Sequence, residues 1–444
     1  MSLIALTQRA SHRFFMSGPG SRLYGQAGLS LAIRLSRFAM GLVTAMLFAR
    51  MMPPAQYGIY SYALTIITLL GIPVEAGLPQ LLIREISRAR SQKALEQVRG
   101  VVRFSARILF GFMGATALIA LAVIAVIHQK LPQGALVMAA IALPAVALAG
   151  MGSIRGAILR GLGSALASQV PEQIVRPGAL ILIGGVAFLL SRGHVDAVAA
   201  LSMTVAANAI AFVVGAALLA RTYNREIGPG PSKANNKQLF SALLPFTALA
   251  AVQIASGHIA LFIAGFYIPP AEIGQFRIAV LCSDVVSFPA FALNTLLAPR
   301  FSTLFHTGDM AGLRQIARTS ARLCFVMSLA LSLPFLLFAD HVVRLGFGHA
   351  YVDAAPAVRL LVAGQLAAAA LGSVATLANM AGFEKQTLFT VSLGLVLSCV
   401  LTVILAPRYG VTGAIIGVVT NLMVWKTLLT VLVRRSIGVS ATVF

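Results

Sequence analysis

Acidic residues are scarce in this chain. Twelve Asp and Glu stand against 34 Lys and Arg in 444 residues, and charged residues of both signs make up only 10%. A water-soluble domain needs roughly a quarter of its residues charged to cover its surface, so this composition excludes an ordinary soluble globule. Cysteine is nearly absent: Cys282, Cys324 and Cys399 lie apart within apolar runs, with no Cys-x-x-Cys or His-x-x-x-His pairing. They read as small core residues with no disulfide or metal role. There is no Gly-x-x-x-x-Gly-Lys loop and no Gly-x-Ser-x-Gly elbow. ATP hydrolysis and serine acyl chemistry therefore have no support, and neither an enzyme nor a cofactor is expected.

What the chain has in abundance is apolar length. Hydrophobic residues make up 59%, in runs of about 20, each able to cross ~30 Å of hydrocarbon as a helix. Roughly twelve such runs follow one another, near 26–49, 57–81, 105–127, 134–158, 167–190, 196–220, 240–265, 273–298, 319–339, 354–380, 387–406 and 411–432. The expected fold class is an all-α polytopic membrane protein. No cleavable signal peptide is evident, because Arg9 and Arg13 interrupt the brief apolar patch near the start.

The formal charge of +22 would suit nucleic acid if it were pooled on one surface, but it is dealt out by connection. Alternate connections hold most of the cations: Arg9, Arg13 and Arg22, the cluster Arg84 to Arg107, Arg155 and Arg160, and so on to Arg434 and Arg435. The opposite side has few, among them Arg50, Lys130, Arg192, Arg344 and Arg408. This is the positive-inside bias, and it predicts cytoplasmic termini and no nucleic-acid partner. The stretches 84–107 and 300–322 read as amphipathic helices on anionic headgroups, with capture of an anionic substrate as the alternative.

The chain also repeats itself. "MMPPAQYGIY" at 51–60 is echoed by "YIPPAEIGQF" at 267–276, so that Pro53, Pro54, Ala55 and Gly58 match Pro269, Pro270, Ala271 and Gly274. At the same offset Pro73 matches Pro289 and Arg84 matches Arg300. After a one-residue shift "RGVVRFSAR" at 99–107 faces "RQIARTSAR" at 314–322. The expectation is two six-helix lobes, residues 1–227 and 228–444, joined by the polar stretch "RTYNREIGPGPSKANNKQ". Six is even, so both lobes point the same way and are related by a pseudo-twofold axis along the membrane normal, with a substrate cavity between them. Pro-Pro ends one helix and starts the next, and the glycine permits close packing. Tyr57, Tyr60 and Tyr267 are then expected at the membrane interface.

Several charges fall inside the apolar runs: Arg34, Arg37, Glu75, Glu172, Arg176, Arg277, Asp284, Arg359 and Lys426. Such a residue at a bilayer centre costs about 2.5 kcal/mol or more, so it faces a wet cavity or a partner. At ~1.5 Å rise per residue, Arg37, Arg176 and Asp284 come near the midplane. Snorkelling toward headgroups competes with a cavity role for Arg34, Arg277, Arg359 and Lys426. An intrahelical pair at a kink competes with it for Glu172 and Arg176, which Pro171 and Pro177 flank. His258 reads as a packing residue or a site residue. Six cations against three acids suit an anion, and guanidinium is the best match for phosphate oxygens.

The segments "FARMMPPAQYGIYSYALTI" and "GIPVEAGLPQLLIREIS", with the basic N-terminus, the Arg-bearing first helix, the basic loop and a second lobe, resemble the polysaccharide-transport (Wzx-type) flippases of the multidrug/oligosaccharidyl-lipid/polysaccharide (MOP) superfamily. The resemblance implies a V-shaped pair of six-helix lobes in the bacterial inner membrane that opens alternately to each side. It implies a polyprenyl-diphosphate-linked glycan as substrate, membrane lipids as surroundings, and a polysaccharide polymerase or export machinery as partner. Arg34, Arg37, Arg176, Arg277, Arg359 and Lys426 would line the cavity, and Glu75, Glu172 or Asp284 would carry a coupled ion. Two alternatives stand beside it. An ion-coupled multidrug exporter of the same superfamily would be expected to bury net negative charge. A membrane polymerase or glycosyltransferase would need a larger outer loop than 340–353.

Overall fold

The computed structural model describes residues 21–75, 77–127, 135–190, 194–439 and 442. Arg9, Arg13, Lys130 and Arg192 lie outside the described residues, as do the side chain of Arg22 and any bearing on a signal peptide. Every regular element among the described residues is a helix. The first half consists of α1 (Ser21–Met51), α2 (Pro54–Glu75), α3 (Leu78–Ser91), α4 (Leu95–Ile127), α5 (Ala135–Gly161), α6 (Ala165–Val170), α7 (Arg176–Leu190) and α8 (Ala197–Glu226). The second consists of α9 (Asn236–Ala264), α10 (Pro270–His306), α11 (Met310–Leu337), α12 (Ala339–Phe347), α13 (Ala355–Ala370), α14 (Val374–Met380) and α15 (Glu384–Ile437). Side chains facing away from the bundle are apolar and bare, such as Val126 at 83%, Leu190 at 80% and Leu118 at 70% exposed. That is the surface of a multi-pass membrane protein, which hydrocarbon covers.

Among the described residues eleven helical segments are long and apolar enough to cross a membrane, where the sequence suggests roughly twelve. The difference lies in α15. A straight rod of its 54 residues would measure about 80 Å, far more than the ~30 Å hydrocarbon layer. Gly410, at φ 58° and ψ −138°, breaks it into two arms. The arms fold back on each other: a Cβ at Gly417 would lie 2.6 Å from Thr402 Oγ1, and one at Gly394 would lie 2.4 Å from Asn421 Oδ1. The two apolar runs 387–406 and 411–432 are therefore separate crossings.

The run at 57–81 is not one helix. α2 stops at Glu75, and Gly77, in the left-handed region at φ 68°, turns the chain into α3. Only glycine fits there, because a Cβ would meet the backbone nitrogen of Thr247 at 2.5 Å. α3 is amphipathic, but its apolar side is not free for headgroups. Leu81, Leu82 and Ile86 are wholly buried, and Gly161 of α5 packs against Ile86. The cationic side, with Arg84, Arg88 and Arg90, stays exposed.

The two Pro-Pro-Ala motifs meet each other. Pro54 and Pro270 each occupy the first turn of a helix, where a missing N–H costs nothing. A Cβ at Gly58 would lie 1.7 Å from Pro270 O, and one at Gly274 would lie 2.8 Å from Pro54 O. The contact is reciprocal, as a twofold relation between repeats requires. Around it Tyr351 Oη donates to Met52 O at 2.8 Å. Arg50, at the end of α1, donates from Nε to Gly346 O at 3.2 Å and from Nη2 to Leu345 O. Tyr57 and Tyr60 are not interfacial anchors: they are 2% and 5% exposed. Tyr57 lies edge-on to Tyr351, and Tyr60 shares a 3.0 Å hydrogen bond with Thr204. Tyr267 is exposed.

At this motif end one apolar core runs through both halves, from Phe48, Tyr57 and Tyr60 to Phe276, Val286, Phe347 and Tyr351. At the opposite, Arg-rich end much of the second half packs by itself: Phe301, Leu313, Leu377, Leu429 and Val433 form a separate cluster. The halves thus share one core that reaches from the motif end to Leu81, Ile86, Leu239 and Leu243 near the Arg-rich end but does not extend to this cluster.

Candidate functional site

α1 carries Arg34 and Arg37 one turn apart on one face. Both are exposed. Arg37 lies within electrostatic reach of Arg34, Arg176 and Glu172. Arg34 projects toward the other half, where its guanidinium lies 5.5 Å from the Phe291 ring centroid. One turn along, Phe38 touches Phe288, with ring centroids 5.4 Å apart. Across the junction, Arg277 of α10 lies in the surroundings of both Tyr57 and Tyr60, and Arg176 in those of Tyr60. Asp284, exposed two turns farther along α10, faces the same Arg277, and so does His258 of α9. The structure therefore gathers Arg34, Arg37, Arg176, Arg277, Glu172 and Asp284 where the halves meet.

The segment that positions Glu172 and Arg176 is irregular for a reason legible in its letters. Pro171 has no N–H to give, and the helix widens into a single π turn over Pro171–Val175, with the Arg176 N–H reaching back to Pro171 O. The turn aims Glu172 away from Arg176. Its carboxylate instead accepts from Arg155 of α5, Nη2 to Oε1 at 2.6 Å. The expected intrahelical pair gives way to one between helices, and Arg176 remains half-buried with its charge facing Arg37.

Arg155 was assigned by sequence to a connection. It is 3% exposed, and besides Glu172 it donates from Nη1 to the carbonyls of Phe212 at 3.0 Å and Ala211 at 3.3 Å. Its guanidinium lies 5.8 Å from the Phe212 ring centroid, and its Nε has no hydrogen-bond partner. Gly215 leaves room for it, since a Cβ there would fall 2.1 Å from the guanidinium carbon. Arg160 lies within reach of Arg34 and Glu75, and Ser153 hydrogen-bonds Glu75. The available signal was "MGSIRGAILRG", a basic stretch inside a small-residue run that extends an apolar helix.

Two predicted cavity residues stand elsewhere. Arg359 of α13 is paired with Asp340 of α12, nineteen residues away in sequence. Lys426, on the second arm of α15, donates to Ala368 O at 2.9 Å and lies 5.7 Å from the Trp425 ring centroid. Both therefore have partners within the second half. No group of three or more His, Cys, Asp or Glu side chains suited to a metal ion occurs among the described residues.

Residues 26–305 match a family model described as polysaccharide biosynthesis protein. No curated protein matches the chain. Among solved structures it is similar to a multidrug resistance MATE family transporter of the MOP superfamily in its inward-facing conformation, at 15% identity and TM-score 0.72, covering 92% of this chain and 98% of that one. The lipid II flippase MurJ in an inward closed conformation gives 13% identity and TM-score 0.65 over 93% and 88% of the two chains. A MOP superfamily transporter from Pyrococcus furiosus gives 14% and 0.64 over 92% and 94%.

Proposed function

From the premise that this chain belongs to the polysaccharide biosynthesis protein family and has the MOP transporter fold, we propose that it is a flippase for polyprenyl-diphosphate-linked oligosaccharide. The observation that carries the reading is the group Arg34, Arg37, Arg176 and Arg277 at the junction of the halves. Arg37 faces both Arg34 and Arg176 without enough acid to neutralise them, since Glu172 is already held by Arg155. Unneutralised guanidinium groups in a wet cleft are matched by an anion, and a diphosphate offers planar oxygen pairs to their N–H forks. The MOP transporter from Pyrococcus furiosus is described as having a binding pocket of reverse polarity that suggests a different function for it. Pocket charge sorts function within this fold by the same logic here.

The boundary between lobes falls at 227/228 in this reading. The Arg-rich end and both termini face the cytoplasm of the cell whose inner membrane holds the protein. The motif end is then the outer gate, shut by the Gly58 and Gly274 contact, and the cleft admits substrate from the cytoplasmic side. A glycan head group cannot cross hydrocarbon because its hydroxyls and phosphates would lose their hydrogen bonds to water. The cleft replaces those bonds while the polyprenyl tail stays in lipid. With the interior negative, outward movement of a head group of charge about −2 gains about 4.6 kcal/mol per 100 mV. Arg359 and Lys426 play a smaller part, being partnered. Of the three carboxylates considered for a coupled ion, we assign that role first to Glu75, then to Asp284, because Glu172 is engaged. A polysaccharide polymerase or export machinery takes the delivered unit.

The test is export of the glycan by Arg37→Ala in cells lacking the native protein. Lost export at normal membrane levels supports the reading. Undiminished export removes Arg37 from the site.

A further inference from the structure

The Arg-rich end holds a pocket of about 300 Å³ whose lining shares no residue with the group Arg34, Arg37, Arg176 and Arg277. Four elements build it. α3 contributes Arg84 and Arg88 with Gln92 as its C-cap, α4 contributes Gln97, the connection between the halves contributes Lys233, and the first turn of α9 contributes Gln238. One acid, Glu85, is among the lining residues, and Arg84 engages it at 2.8 Å. Arg84 is steadied further by the Phe246 ring, 5.1 Å away. Arg88 and Lys233 remain exposed.

The connection that delivers Lys233 is fastened in place. Arg99 of α4 donates to three of its carbonyls: Nη2 to Ile227 at 2.8 Å, Nε to Gly228 at 3.1 Å and Nη1 to Pro231 at 3.1 Å. Arg103 donates to Ser232 Oγ at 2.7 Å. The Lys233 backbone N–H donates to Glu96 O at 2.9 Å. Gly100 makes the close approach possible, since a Cβ there would lie 2.2 Å from Lys233 O. Past Lys233, Asn235 caps α9 by accepting from the Gln238 N–H at 3.2 Å. The N-terminus of this 29-residue helix therefore opens at the pocket and adds its partial positive charge.

We propose that this pocket binds a phosphoryl group, as a phosphodiester or a diphosphate, between Arg88 and Lys233, with the amides of Gln92 and Gln238 donating to its remaining oxygens. Three cations against one engaged acid set the sign of the ligand, and the backbone anchoring of Lys233 makes the site preorganised. An anionic lipid headgroup and a free diphosphate share this chemistry. Because the ligand touches α3, the connection and α9 together, it bridges the first half and the start of the second beside the place where Leu239 and Leu243 of α9 already join the shared core.

The experiment is calorimetric titration of the full-length protein in zwitterionic detergent at low salt, with dioctanoyl-phosphatidylglycerol, dioctanoyl-phosphatidylcholine and inorganic pyrophosphate as probes. The double variant R88Q/K233Q should bind phosphatidylglycerol or pyrophosphate about ten-fold more weakly than the wild type. R318Q/R322Q, which alters exposed cations on α11, should bind as the wild type does. Phosphatidylglycerol binding that pyrophosphate does not displace identifies a lipid headgroup, while displacement or direct pyrophosphate binding identifies the phosphoryl group alone. Equal affinity of wild type and R88Q/K233Q, no binding of either anion, or equal loss in R318Q/R322Q overturns the proposal. A measurement on the unaltered protein guards against misfolding of the variant: the probe that binds should slow acylation of Lys233 about five-fold relative to Lys237, read by mass spectrometry. Equal rates at both lysines also overturn it.

Discussion

Gly58→Ala is the smallest change that should loosen the motif end. The new Cβ would lie 1.7 Å from Pro270 O, 2.6 Å from Pro270 C and 3.1 Å from Gly274 N, all backbone atoms of the opposite half. Non-bonded heavy atoms rest at about 3.5 Å, so α2 and the start of α10 must part by roughly 1–2 Å. Gly274→Ala is milder, with its closest contact at 2.8 Å from Pro54 O. Overpacking of this kind costs about 1–3 kcal/mol in the closed arrangement, which shifts a two-state equilibrium roughly 5- to 150-fold toward the open one. Cys282 reports the shift, because it is 2% exposed and lies close to Tyr57 beneath the contact. In a purified C324S/C399S background, maleimide labelling of Cys282 should be slow in the parent, faster in G274A and fastest in G58A. Unchanged labelling in G58A, or a G274A rate above it, would refute the claim that this contact closes the motif end.

Three further outcomes are expected. Removing one partner of the Arg155 and Glu172 pair leaves a buried charge and costs about 2–3 kcal/mol, at the low end because Glu172 is partly exposed. R155M or E172L should therefore lower the thermal midpoint of the purified protein, and the double variant should recover most of the loss. R359A should retain most glycan export where R37A does not, because Arg359 is paired with Asp340; equal loss in both would place Arg359 back in the cleft. G77A should reduce folded yield, read as the monodisperse fraction in detergent, because both its φ of 68° and the nearby Thr247 backbone forbid a side chain.

The sequence disclosed what depends on periodicity and composition. Apolar length marked the crossings, including the break in α15 that helix geometry alone would merge, and the Pro-Pro-Ala echo marked a repeat. It did not disclose what depends on which surfaces meet. Nothing in the letters says that Gly58 packs against the other copy of its own motif rather than a neighbour within its half. Tyr57 and Tyr60 look like interfacial anchors because aromatic residues beside a turn usually are, but Tyr57 packs on Tyr351 of the other half and Tyr60 on Phe48 and Thr204 of its own. Arg155 lies inside the run at 134–158 yet reads as one of the connection cations because Arg160 follows it, and of the two readings open for Glu172 the intrahelical pair fails because a π turn separates it from Arg176. Arg359 has its partner on α12, nineteen residues back, beyond any local spacing rule.

The most direct test of the account is translocation by the purified protein in liposomes holding a polyprenyl-diphosphate oligosaccharide, with leaflet exposure read by a membrane-impermeant glycan probe. Under an imposed potential, wild type should move the lipid across the bilayer and R37A should not. No movement above protein-free liposomes, in a preparation that transports a cationic dye, would contradict the account.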